Sequence, residues 1–239
     1  MSSLEGKVAI VTGAGRGIGR AIALVLAQCK YRVVLTARTV AELEEVKGEI
    51  LRLGGEAVVV AGDLTRDEDI AAVVNYCEKV WGTVDCLVNN AGWGKRAPAV
   101  RANIEDWDRT IKLNLRAPMM LSRLVLPAMM AKGEGAIINI GSVSGKNGEA
   151  NAAAYAASKF GLIGFTQSLY EEVRESGIKV AVILPGFVDT PLIPETKQLD
   201  RRKMIRPEDV AESVRFVLSA SDACCPVEIT LRPQRTPYR

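Results

Sequence analysis

Residues 7–27 read KVAIVTGAGRGIGRAIALVLA, and this stretch decides the fold. Its first part, 7–12, is a short apolar run without polar alternation, the pattern of a strand buried on both faces of a parallel sheet. The run passes directly into Gly13-Ala-Gly-Arg-Gly-Ile-Gly19 and then into an apolar helical pattern opening at Arg20. Glycines here let the backbone turn sharply and approach a pyrophosphate whose charge rests against the helix N-terminus. A tight strand–helix connection alone would also explain them, but the first βα turn is the place a dinucleotide requires. A P-loop is excluded, because no Gly-Lys-Ser/Thr follows.

Outward from this unit the alternation continues almost to the end of the chain. Strand-like runs are predicted at 32–36, 57–61, 86–89, 136–140, 180–184 and 227–231, and helices at 40–53, 67–80, 152–176 and 207–220 among others. Such alternation predicts an α/β fold: a Rossmann-type, doubly wound parallel sheet of seven strands in a single domain over 1–239. Two stretches break the rhythm. Residues 190–206, with Pro191 and Pro194, follow the sixth strand and form a candidate substrate lid; 232–239, RPQRTPYR, is a tail expected to be extended, frayed or docked on a neighbouring subunit.

Composition narrows the function. The 239 residues carry 31 Lys+Arg against 28 Asp+Glu, a net charge of +3 that points to neither a nucleic-acid surface nor a polybasic membrane anchor. No run approaches a membrane span, residues 1–7 lack a secretory signal, and a soluble protein of the reducing cytoplasm is expected. There is no histidine, so Ser-His-Asp and Cys-His catalysis and His-ligated zinc are excluded, and no metal site is expected. The five cysteines include no C-x-x-C; Cys29, Cys77 and Cys86 read as buried thiols, and the vicinal Cys224-Cys225 lacks framework spacing.

The residues just past the second strand bear on the nucleotide. NAD sites place a carboxylate there for the ribose, whereas a basic residue accommodates a 2′-phosphate. Residues 33–38 read VVLTAR and end on Arg38, and Arg16 lies in the glycine loop. Two cations with no anion favour NADP(H), and the missing carboxylate argues against an S-adenosylmethionine methyltransferase. At the chemical end stand Asn89-Asn-Ala-Gly92, Asn114, Ser142 just past the fifth strand, and Tyr155-Ala-Ala-Ser-Lys159. The i, i+4 spacing puts the phenol and the ammonium on one helix face, a neighbourhood that favours phenolate. Asn89 reads as structural, bonding backbone between strands, and Met119, Met120, Met129 and Met130 read as core or subunit packing.

These motifs in this order make the chain resemble the short-chain dehydrogenase/reductase family over about 6–220. They are Thr12-Gly-x-x-x-Gly-x-Gly19, Asp63-Leu64, Asn89-Asn-Ala-Gly92, Asn114, Ser142, Tyr155-x-x-x-Lys159 and Pro185-Gly186. The resemblance implies hydride transfer between a carbonyl or alcohol and NADP(H), with Tyr155 as general acid or base and Lys159 lowering its pKa. It also implies Ser142 polarising the carbonyl and Asn114 anchoring a water that links Lys159 to solvent. By the same resemblance the cofactor lies along Gly13, Gly15, Arg16, Gly17, Ile18, Gly19, Arg38, Asp63, Leu64, Asn90, Ala91, Gly92, Tyr155, Lys159, Pro185, Gly186, Val188 and Thr190. Trp93, Ser144 and Phe187 are candidate substrate residues.

Within the family the chain looks most like 3-oxoacyl-carrier-protein reductases and similar NADPH-dependent carbonyl reductases. An alternative is an NADP-linked alcohol, polyol or steroid dehydrogenase working mainly in oxidation. A remoter alternative is a non-catalytic NADP-sensing or scaffold protein. A carrier protein is acidic and would need cations at the mouth, sought at 132–135, 174–177, Lys95-Arg96 and 201–203. The short, charged lid fits an open site for several carbonyl compounds, or a long substrate lying partly outside it. The resemblance also implies a homotetramer, or a homodimer. The chain departs from the family at its end, where Cys224-Cys225 and the tail replace a Gly-rich terminus.

Overall fold

The computed structural model describes residues 5–193 and 195–238; the first four residues, Pro194 of the expected lid and Arg239 of the expected tail lie outside the described residues. The strands are β1 (Val8–Thr12), β2 (Arg32–Thr36), β3 (Glu56–Val59), β4 (Cys86–Asn89), β5 (Gly135–Ile140), β6 (Ile178–Pro185) and β7 (Glu228–Leu231). They form one sheet in the order β3-β2-β1-β4-β5-β6-β7, every pairing parallel. The expected runs keep their places, with ends moved by one or two residues.

Helices α1 (Gly17–Gln28), α2 (Val40–Arg52), α3 (Asp67–Trp81), α4 (Ile104–Ile111), α5 (Ala117–Lys132), α6 (Ala153–Val173) and α7 (Pro207–Ser219) cover the two faces. The helix expected over 152–176 ends its α-helical part at Val173 and finishes in a 3₁₀ turn, Arg174–Ser176. β1 shows why the sheet is covered twice. Ala9 and Val11 share a core with Ile22, Leu43 and Val214 of α1, α2 and α7, while Val8 and Ile10 join Ile70, Leu121 and Leu169 of α3, α5 and α6. Successive side chains of a strand point to opposite faces, so a strand apolar at every position buries both. Helix termini are signalled locally: α3 opens on Asp67, Glu68 and Asp69 against its dipole, and α7 opens on Pro207 with Asp209 accepting from the Arg206 amide at 3.0 Å.

The strand order reverses beside β1, whose neighbours are β2 and β4. Connections leaving such strands to opposite faces open a crevice at their carboxyl ends, which sets the place of the site. Beyond that edge the described residues of 190–206 include a 3₁₀ turn at Arg201–Lys203, and Ile205 forms a parallel bridge with Val188. Asp200 N donates to Pro237 O at 2.7 Å, Leu199 bridges Tyr238, and the Tyr238 ring meets Phe187 edge-on at 5.5 Å, so the tail contacts the segment after β6 of its own chain. Met129 is buried, but Met119 and Met130 are 44% and 45% exposed; eleven residues apart, about three turns, they share the outer face of α5.

Candidate active site

The cradle is built where β1 meets α1. A side chain at Gly19 would collide with the Gly13 carbonyl oxygen, so the loop closes on itself only with glycine there. α1 starts with no side-chain cap and no acidic residue in its first turn, leaving its first amides and the positive end of its dipole for an anion. Gly17 faces the Thr190 methyl, which brings the segment after β6 against the loop. Thr12, the first residue of the glycine motif, is the hub of this corner. Its Oγ1 donates to Val88 O at 3.3 Å and accepts from the amides of Asn90 and Ala91, both at 2.9 Å. Asn90 Nδ2 donates to Thr12 O at 2.8 Å and Gly13 O at 3.3 Å, stitching the loops of β1 and β4 together. The backbone-bridging role expected of Asn89 therefore belongs to Asn90. Asn89 donates instead to the Asn139 side chain at 2.9 Å, and Asn139 to Thr166 Oγ1 at 2.9 Å.

Farther along, Arg38 is exposed just past β2. Burial works against the Asp63 carboxylate, but hydrogen bonds from Thr65 and the charges of Arg38 and Arg109 hold its pKa below the ordinary value. Leu64 beside it is a core side chain, so any part it plays at this corner falls to its main chain. The expected absence of an anion is corrected. Glu42 of α2 abuts Gly15 and lies 3.6 Å from the Arg16 guanidinium, which keeps 65% of its side chain exposed. A phosphate taken by Arg16 competes with that carboxylate. Ile18 packs against the core, and Val188 and Thr190 are buried beyond the end of β6. Gly186, after Pro185, donates its amide to Leu231 O at 2.9 Å.

At the chemical end, Ser142 follows β5 in extended conformation and its Oγ accepts from the Ser144 amide at 3.1 Å. Tyr155 and Lys159 stand one turn apart on α6. Burial raises the Tyr155 pKa above the ordinary phenol value; the Ser142 hydroxyl bonded to it and the charge of Arg96 pull it down, and Glu149 pushes it up. Lys159 is 4% exposed, burial pushes its pKa down to about 8, and its Nζ donates to Ile140 O at 2.8 Å. The ammonium lies 5.8 Å from the ring centroid, turned to the β5 carbonyl.

Asn114 sits on a π-helical turn, Lys112–Arg116, between α4 and α5. Wide turns of this kind recur at functional positions because they re-aim a side chain inside a helix. Asn114 Oδ1 accepts from Trp93 N at 2.8 Å, and Nδ2 donates to Trp93 O at 2.8 Å and Ser158 Oγ at 3.1 Å. Gly92 stands between Asn114 Oδ1 and Lys159 Nζ, with Ala91 behind it against the core. Gly94 packs flat on the Tyr155 ring, where a Cβ would meet Cδ2. Sequence reasoning misses Ser158 and Gly94; Ser158 lies inside the Tyr-x-x-x-Lys stretch, which is its one available signal.

Of the candidate substrate residues, Trp93 carries the Arg109 guanidinium 5.0 Å from its ring centroid and Phe187 is backed by Tyr238. Ser144 is buried and its hydroxyl is committed to Glu149 Oε1 at 3.0 Å, which turns it away from a substrate role. Most of the cations sought for a carrier protein are misplaced or matched. Lys132 and Arg174 stand at the amino ends of β5 and β6, the edge opposite the site, because they lie at the ends of the helical segments that precede those strands. Lys95 pairs with Asp106 at 3.0 Å, Arg96 with Glu149, Arg201 with Asp189 at 2.6 Å and Arg202 with Asp200 at 3.1 Å.

A phenol, a hydroxyl and a buried amine thus converge beside an anion-binding cradle, an arrangement suited to moving a proton next to a bound nucleotide. The family model described as short chain dehydrogenase matches residues 7–200. An uncharacterised oxidoreductase of Staphylococcus aureus (strain MRSA252) is 33% identical over 233 residues, covering 98% of this chain and all of that protein. The 3-oxoacyl-(acyl-carrier-protein) reductase FabG of Vibrio cholerae is 38% identical over 230 residues, covering 92% of this chain and 93% of its own. Among solved structures, a metagenomic short-chain oxidoreductase in complex with NADP is 41% identical at a TM-score of 0.87, covering 98% of this chain and 100% of that one.

Proposed function

The chain belongs to the short-chain dehydrogenase family, and we propose that it reduces a ketone or aldehyde carbonyl to the alcohol, with NADPH as cofactor. The observation carrying this reading is the convergence of Ser142, Tyr155 and Lys159 beside Gly92 and the glycine loop. The loop that excludes a Cβ at Gly19 and the uncapped start of α1 fit a dinucleotide diphosphate. Arg38 and Arg16 would hold a 2′-phosphate, and Lys159 the nicotinamide ribose. The bound nicotinamide would supply the hydride.

Everything else falls to the chain. Ser142 Oγ donates to the carbonyl oxygen and stabilises its developing charge. Tyr155, whose proton burial holds in place, gives that proton to the same oxygen, so a raised phenol pKa suits the reductive direction at neutral pH. Asn114 fixes Trp93 and Gly92 beside Lys159, and is the residue that would anchor a water returning the proton. Because Lys95, Arg96, Arg201 and Arg202 are already paired, small carbonyl compounds fit better than a carrier-protein conjugate. The five free thiols suit a reducing cytoplasm, and no helix among the described residues is long and apolar enough to cross a membrane.

The test is a panel of acetoacetyl thioesters, diketones and aromatic aldehydes, assayed with NADPH and with NADH. Turnover with NADPH on at least one carbonyl is expected; turnover with neither cofactor on any compound sinks the reading. Arg38→Asp should raise KM for NADPH about 10- to 100-fold, the loss of one charge-assisted hydrogen bond, and leave NADH within about threefold. Equal effects on the two cofactors would remove Arg38 from the 2′-phosphate site. A homotetramer is the expected assembly, covering the exposed Met119, Met130 and Phe160 of α5 and α6; a monomer by light scattering refutes it.

A further inference from the structure

Two loops meet over the mouth of the site, and neither belongs to the Ser-Tyr-Lys set. One follows β4 and carries Arg96; the other follows the Ser142 turn and carries Glu149. Their backbones join at Ala97 N to Asn151 O, 2.9 Å, and their side chains join through Arg96 Nη2 and Glu149 Oε2. The second Glu149 oxygen accepts from Ser144 Oγ at 3.0 Å, and the Ser144 amide donates to Ser142 Oγ at 3.1 Å. A continuous chain of polar contacts therefore runs from an exposed guanidinium to the hydroxyl that touches Tyr155. From this arrangement we propose that Arg96 and Glu149 are positioning residues of the Ser142–Tyr155 pair, a charge clamp across the mouth that sets how firmly the phenol keeps its proton.

The charged and titratable neighbours of Tyr155 are few. Lys159 approaches from α6, Arg96 from the loop after β4 and Glu149 from the loop before α6, while Lys146 of the same turn faces away to Glu228. Arg96 and Glu149 act on the phenol with opposite sign, one favouring phenolate and the other opposing it. Held together, each works against the other; with one removed, the other acts alone. Burial works against the Glu149 carboxylate, yet Arg96 and Ser144 keep its pKa below the ordinary value, so the clamp stays charged at neutral pH. A substrate group that draws Arg96 from Glu149 would alter the acidity of the proton donor as it binds.

The inference rests on the proposed reduction for its kinetic consequence, but the phenol can be titrated without turnover. The experiment is a tyrosinate absorbance titration of the holoprotein with NADP⁺, using Tyr155→Phe as the blank, alongside the pH profile of kcat/KM for the best carbonyl. Glu149→Gln, which leaves Arg96 unopposed, should lower the Tyr155 pKa by about half a unit to one unit, and Arg96→Gln should raise it by a similar amount. The double variant should return near the wild type. Shifts of the same sign, or none in either variant, overturn the proposal. Arg96 is 60% exposed and outside the core, so Arg96→Gln alone carries the test if Glu149→Gln fails to fold. Clear titration shifts without any carbonyl turnover would uphold the clamp and sink the reductase reading.

Discussion

Tyr155→Phe should lower the turnover of carbonyl reduction by about 10²- to 10⁴-fold, the usual worth of a positioned general acid, with the dissociation constant for NADPH unchanged within about twofold. The substitution removes one hydroxyl and keeps the ring, so the flat contact with Gly94 survives. Ser142 keeps its bond from the Ser144 amide and loses only the phenol partner. A folded, cofactor-binding and nearly inert protein is therefore the expected product. Turnover within about threefold of wild type would place the proton donor elsewhere. Cofactor binding by fluorescence, measured on the same preparation, separates lost chemistry from lost binding.

Lys159→Met should abolish most activity and make the protein more stable at neutral pH. The buried ammonium has its pKa pushed down to about 8 by desolvation, against an unfolded value near 10.4. Below pH 8 the group is protonated in both states and the folded state bears the whole penalty, about 3 kcal/mol at 1.36 kcal/mol per unit. Between pH 8 and about 10.4 the folded protein sheds its proton first, and the penalty fades as pH rises. Methionine removes the charge but forfeits the bond to Ile140 O, which offsets about 1–1.5 kcal/mol. The net gain of about 1–2 kcal/mol corresponds to about 2–8 °C in Tm for a chain of this length. The advantage should shrink as melts are taken from pH 7 toward pH 10. A variant less stable than wild type at pH 7 would show that Lys159 is comfortably solvated.

The parts of this fold that can be read from the chain are those encoded by neighbours. An apolar strand running into a glycine turn and a helix declares a βα unit, and Tyr155 and Lys159 share a helix face by spacing alone. The parts that escape depend on distance or parity. Arg96 and Glu149 are 53 residues apart and meet only because two loops cross one edge of the sheet. Asn89 and Asn90 are adjacent, yet successive residues of an extended chain face opposite ways, so Asn89 looks toward Asn139 and Asn90 back toward β1. Glu42 lies in the first turn of α2, past the end of β2, where linear reading finds only Arg38. α5 is apolar nearly all round, which leaves no stripe to tell Met129 from Met130. Lys132 and Arg174 are sought at the mouth because helix ends do not say which sheet edge they reach.

The wide turn at Lys112–Arg116 also has a genetic consequence. A π turn is one residue more than an α-helix needs, accommodated while the helical flanks keep their phase. Removing a single codon at Leu113 would let α4 and α5 run on as one ordinary helix and swing the Asn114 amide about 100° around its axis, away from Trp93 and Ser158. In such a lineage, a working enzyme and an inactive paralogue with the same architecture would differ by three nucleotides.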